Sequence, residues 1–184
     1  VATHGWVTRL RIVSLILWYV VSVPARRLFK VPKRAVVTKA MLEDTSYAVW
    51  NAFVDLIANS FYQELTPRQR PAQLVFRYES EVQNGGHLQF FVNSEGEHLE
   101  ETVAALDALG AACQARVLEQ AVARWNSTQR LSPESVGDYA AEAAKGEFSD
   151  FDHAFADCED REASLTQVLE RHLAEHEAWY IVRT

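Results

Sequence analysis

The sequence predicts an all-α protein: a compact multi-helix domain with a Gly-Gly helix–helix corner, preceded by an apolar N-terminal segment. Three observations predict it. Apolar residues recur at three- and four-residue steps over most of the chain. Glycine and proline number only 7 and 5 in 184 residues, which disfavours a turn-rich sandwich or barrel. No stretch after residue 38 alternates convincingly as a strand.

Ile12–Val23 is apolar almost throughout, with Arg9 and Arg11 before it and Arg26 and Arg27 after it. Twelve residues fall short of the roughly 17–25 needed to span a bilayer. The segment reads as a structural helix, a membrane tether or uncleaved signal, or an extension foreign to the functional domain, and these readings stay open. Residues 31–38 read as a linker, so the expected division is an N-terminal segment, 1–37, and a helical domain, 38–184.

In that domain Tyr47, Trp50, Phe53, Val54, Ile57 and Phe61 predict a first helix, capped by Asp44 or Thr45. Thr66-Pro67-Arg68-Gln69 is a helix start, in which Thr66 accepts from the amide of Gln69 and Pro67 has no amide to leave unpaired. That helix runs to about Gln83. Asn84-Gly85-Gly86 ends it in a sharp reversal, because these residues tolerate positive φ; Gly85→Val is expected to destabilise the corner. A short helix follows over 87–92, then a turn with Ser94 and Glu97 placed as a capping box. Leu99, Val103, Leu106 and Leu109 mark a helix ended by Gly110. Val117, Leu118, Ala121, Val122 and Trp125 mark another. Ser132-Pro133 caps an Ala-rich helix over about 133–145, ended by Gly146, and a last helix covers about 161–181.

Charge is unevenly placed. Residues 1–34 hold seven Lys and Arg and no acid, whereas residues 35–184 hold all 25 acids against 11 bases. An acidic body attracts basic partners and repels nucleic acid and anionic lipid, so no direct nucleic-acid binding is expected; membrane contact is left to residues 12–23. Cys113 and Cys158 fit no zinc or redox spacing and are read as the reduced thiols of a cytoplasmic protein, free or tethered to the inner membrane.

The stretch Glu81–Gly96 has the pattern E-x-x-N-G-G-x-x-Q-F-F-x-N-S-x-G. With the lead-in 65–70 and the run 105–111, it resembles the bacterial DNA-mimic protein family, helical domains of which one member imitates double-stranded DNA and occupies a DNA-binding regulator. His87 stands where that family usually shows an aromatic such as Phe. In this reading Glu81, Asn84, Gly85, Gly86, Gln89, Phe90, Phe91, Asn93 and Gly96 are scaffold: the phenylalanines anchor the short helix, and the polar residues serve backbone groups freed at helix ends.

The resemblance implies a protein-binding module, not an enzyme, with no cofactor or metal. Its partner would be a basic protein, either a DNA-binding regulator or a toxin; in the second case the chain is an immunity or antitoxin protein. Glu134, Asp138 and Glu142 recur every four residues along one helix face, where neighbours sit roughly 5–6 Å apart. Asp150, Asp152, Asp157, Glu159, Asp160 and Glu162 continue the acidic surface. A third reading is a metal-dependent enzyme using His172 and His176, which match H-x-x-E-H but have only eight residues after them.

Overall fold

The computed structural model describes residues 31–127 and 135–184. The apolar segment 12–23, with every reading attached to it, and Glu134 lie outside them. Strand β1 (Ala35–Val37) pairs in parallel with β2 (Ile181–Arg183), and Thr184 N–H donates to the Val37 carbonyl at 3.1 Å. The two ends of the domain are thereby joined, and the folded unit reaches back to Pro32 rather than starting at residue 38. Three-residue strands are too short to show alternation, which is why they read as linker and as helix end.

Helix α1 (Lys39–Asp44) is capped by Thr38, whose hydroxyl accepts from Met41 N–H. Helix α2 (Ala48–Ala58) buries Phe53 and Ile57 as the periodicity predicts, but Tyr47 and Phe61 fall outside it and are exposed. Asp44 therefore closes α1 rather than opening α2. Gln73, buried, donates to the carbonyls of Ile57 and Ser60 at 2.8 and 2.6 Å, satisfying groups that the end of α2 leaves free.

Residues 66–69 form a turn, with the expected cap reversed. The Gln69 side-chain oxygen accepts from the amide and hydroxyl of Thr66, and the Thr66 carbonyl accepts from Gln69 N–H. The Gln69 side-chain amide donates to the carbonyls of Lys33 and Trp179, so one buried glutamine ties both chain ends to the middle.

Helix α3 (Arg70–Asn93) is bent rather than reversed at Gly85-Gly86. Gly85 has φ −159°, which any residue adopts; the positive φ belongs to Gly86, at 74°. Ser94 and Glu97 make no capping box. Glu95, Gly96 and His98 instead turn the chain through positive φ into α4 (Leu99–Leu109), which Gly110 ends at φ 85° as expected. Helices α5 (Ala112–Asn126), α6 (Val136–Ala143), α7 (Ser149–Arg161) and α8 (Leu165–Tyr180) follow. The expected last helix divides differently: residues 149–161 are a helix of their own, and Ser164 with Gln167 form the capping box that opens α8. The core gathers Phe53, Ile57, Tyr78, Phe91, Leu106, Leu118, Leu165, Leu169 and Tyr180, all below 2% exposed.

Candidate functional site

The acidic residues singled out from the sequence fall on α6 and α7, and the fold treats them differently. Ser135 caps α6: its hydroxyl accepts from Asp138 N–H at 3.2 Å and donates to the Asp138 carboxylate at 2.8 Å. Asp138 stays exposed, whereas Glu142 is half-buried and held by Lys145 at 2.5 Å. The expected row 134–138–142 thus contributes one exposed, unneutralised carboxylate among the described residues.

Helix α7 presents a better-ordered row. Phe151, Phe155 and Cys158 turn inward at three- and four-residue steps, Phe155 and Cys158 nearly fully buried. The opposite face carries Asp150, His153, Asp157 and Asp160, all exposed and spaced at three or four residues, so they form one stripe along the helix. From Asp150 to Asp160 the stripe spans about 15 Å at 1.5 Å per residue. Asp157 meets Arg161 at 3.4 Å, an exposed pair of small energetic weight. Glu162 is exposed at the C-cap, and Glu159 is half-buried beside Gln83.

Asp152 leaves the expected surface. One of its carboxylate oxygens accepts from both His87 N–H at 2.8 Å and His87 Nδ1 at 2.7 Å. His87 is fully buried, and its Nε2 lies 2.9 Å from the Tyr78 hydroxyl. Burial first, and the Asp152 charge second, push the Tyr78 hydroxyl well above its ordinary pKa, so it keeps its proton. The ionised Asp152 carboxylate can only accept, which assigns a proton to Nδ1, facing it. Burial alone would raise the Asp152 carboxyl, but the hydrogen bonds from His87 outweigh it and hold it below the usual carboxylate value. Asp152 therefore acts as a cap: it satisfies the amide freed where α3 restarts after its bend.

Gly86 makes this contact possible, since a Cβ there would stand 2.6 Å from Asp152 Oδ2. The remaining motif residues pair with one another rather than with backbone groups. Glu81 accepts from Gln89 at 2.8 Å and from Asn93 at 2.7 Å, bridging the bend. Phe90 and Phe91 are buried as expected, with Phe91 stacked on Trp125 at 4.8 Å between ring centres. Asn84 is exposed, and Gly96 lies in the turn before α4.

The two cysteines are not free thiols. Cys113 of α5 and Cys158 of α7 form a disulfide with Cα atoms 5.7 Å apart, a pairing that a separation of 45 positions conceals in the sequence. The expectation of reduced thiols is corrected by this bond. His172 Nε2 bonds to the Tyr180 hydroxyl at 2.8 Å, and His176 stacks on Trp179 at 3.9 Å, so both imidazoles are engaged by their own helix. Burial, then the neighbouring His176, lowers the His172 pKa. Among the described residues, no group of three or more His, Cys, Asp or Glu is placed to hold a metal, and no helix is long and apolar enough to cross a membrane.

A family model described as DMP19-like protein matches residues 63–176, more than half of the chain. The match takes in the Gly-Gly bend, the disulfide and the whole of α6 and α7. No curated protein and no solved structure matches the chain.

Proposed function

The chain belongs to the DMP19-like family of DNA-mimic proteins, and from that membership we propose that it occupies the DNA-binding surface of a basic protein by presenting the carboxylates of α7 in place of phosphates. The observation that supports this reading is the exposed row of Asp150, Asp157 and Asp160 on a helix fixed from behind. Residues 149–162 carry six carboxylates against one arginine. The three exposed carboxylates over about 15 Å give roughly one per 5 Å of helix, the same order as phosphates on one DNA strand, one per about 3.4 Å of helix axis. Asp138 on α6 and Glu162 at the end of α7 extend the negative field. Like charges at helical spacing weaken their own helix, and a cationic partner relieves that repulsion while being steered to the surface.

Asp152 is given a different part: it positions α7 and does not meet the partner. The test is capture of binding proteins from the source cell by the intact protein, followed by elution with a 20-base-pair DNA duplex and by graded salt. The expectation is that DNA-binding proteins elute with duplex. The combined Asp150→Asn, Asp157→Asn and Asp160→Asn variant should lose affinity by about tenfold or more at low salt, since buried or semi-buried charge pairs each contribute on the order of 1 kcal/mol or more. Bound proteins that ignore the duplex, or affinity unchanged in the triple variant, would refute the reading. A captured toxin whose active-site cleft is covered would instead assign the chain to immunity.

A further inference from the structure

A second surface lies at the opposite end of the sequence, outside the stretch that matches the family. Beside β1 is a groove of about 480 Å³, lined by β1 and its lead-in (Lys33–Val36) and by Met41, Asp44, Ala48, Ala52, Asp55 and Leu56. Its origin is in the sequence. Helix α2 turns Ala48 and Ala52, one turn apart, toward β1, and side chains ending at Cβ leave a hollow there. Val36 and Met41 border it with apolar side chains that are 55% and 41% exposed.

The backbone beside this groove is half-used. Val37 directs its carbonyl to β2, where Thr184 N–H donates to it. Alternation along the strand then turns the N–H and C=O of Val36 to the other edge. Among the described residues no strand pairs with that edge, because the sheet holds β1 and β2 alone. A parallel pair of three-residue strands is a minimal sheet, and such an edge is a template for another extended chain. Charge narrows the choice of chain. Asp44 and Asp55 stand on the helix side of the groove and make no ion pair among the described residues; of the two cations on the strand side, Lys33 is held by Glu64 at 3.0 Å and Arg34 donates to the Ala178 carbonyl at 3.5 Å.

We propose that this groove binds an extended segment of a partner protein, which adds a third strand to β1, seats an apolar side chain over Ala48, Ala52 and Leu56, and places a Lys or Arg against Asp44 and Asp55. The mode is strand addition: main-chain hydrogen bonds give affinity, and alternate side chains give selectivity. It is independent of the α7 surface, so either can fail without the other.

The test uses the full chain and a set of fluorescein-labelled hexapeptides that alternate Val or Ile with Lys, Arg or Thr, read by fluorescence anisotropy. Saturable binding is expected. Methylating the peptide amides that face β1 should weaken it about tenfold or more, the equivalent of one or two lost main-chain hydrogen bonds. Val36→Pro should do the same, because proline removes the outward N–H while the bonds to β2 stay. Asp44→Asn with Asp55→Asn, both exposed positions, should weaken binding several-fold and flatten its dependence on salt. If Val36→Pro alters the circular-dichroism melt, the methylated peptides on wild-type protein decide. No saturable binding by any peptide, or equal affinity for methylated ones, overturns the proposal. Concentration-dependent self-association abolished by Val36→Pro also overturns it, since the occupant is then a second copy.

Discussion

Consider replacing Gly86 with alanine. Gly86 has φ 74° and ψ −177°, a combination essentially restricted to glycine, and forcing a residue with a Cβ into it costs about 1–3 kcal/mol. The added carbon would also lie 2.6–2.9 Å from all three carboxylate heavy atoms of Asp152. The carboxylate must withdraw, and both bonds to His87, at 2.7 and 2.8 Å, go with it. Hydrogen bonds to a charged group contribute about 1.5–3 kcal/mol. The Asp152 side chain is 38% exposed, so water compensates in part and the lower end of that range applies. Taking about 1.5 kcal/mol for the two bonds together, the sum is about 2.5–4.5 kcal/mol, which for a domain of this size lowers the melting temperature by roughly 5–18 °C. Urea denaturation followed by circular dichroism gives the number. Gly85→Ala is the comparison: Gly85 has an ordinary φ, and its Cβ would displace the Gln89 side chain, so its cost should be limited to the Gln89–Glu81 bond, with no strain from positive φ. In an Asp152→Ala background, Gly86→Ala should retain only its backbone cost. If Gly86→Ala unfolds within 1 kcal/mol of wild type, or Gly85→Ala costs more, the account of the bend is wrong.

Three further outcomes are expected. Reducing the Cys113–Cys158 bond, which closes a loop of 45 positions, should destabilise the domain by up to about 4 kcal/mol on the chain-entropy account; equal urea midpoints with and without dithiothreitol would contradict this. The His172 pKa is lowered in the folded state, so the unfolded chain binds the proton more readily; stability is then fully present above pH 6.5 and falls as pH drops toward the folded pKa, and His172→Gln should flatten melting temperature against pH between 7 and 5. Asp152 behaves in the opposite chemical sense but on the same side: its depressed pKa contributes stability above its ordinary 3.8 that is lost as pH falls through the folded value, and an Asp152→Asn variant that keeps the wild-type acid transition would exclude that role.

Local signals were legible in the sequence where one residue type has one use. Gly110 and Gly146 end helices at positive φ because little else can, and the stripe 99–109 folded as read. Helix α7 escaped notice because its inward face is sparse: Phe151, Phe155 and Cys158 sit among five acids, so the apolar period is diluted by the charges on the outer face. The contacts that fix the candidate surface were hidden for another reason. His87 and Asp152 are 65 positions apart, and Cys113 and Cys158 are 45 apart, separations at which spacing carries no information without the fold. An acid in an acidic run gives no sign that it points inward. The departure at His87 was the available clue, since a fully buried imidazole needs partners for both nitrogens, and a carboxylate had to come from somewhere.

These buried contacts bear on how a carboxylate row could replace DNA. Phosphates on a duplex are held in register by the double helix, whereas aspartates on an isolated helix are not, and a flexible row loses affinity to the entropy of ordering. Helix α7 is anchored at three successive points on its inner face: Asp152 to His87, Phe155 against Tyr78 with ring centres 5.6 Å apart, and Cys158 to Cys113. The anchors fall on α7 at steps of three, on the side opposite Asp150, Asp157 and Asp160, so each turn that carries an outward acid is held from behind. Loss of the uncharged anchor Phe155 should leave the charge of the surface unchanged and weaken binding through the spacing of its carboxylates. Comparing the partner affinity of Phe155→Leu with that of Asp150→Asn separates the two causes. The first should slow association little and speed dissociation, because steering depends on net charge and retention on fit; the second should slow association, most at low salt.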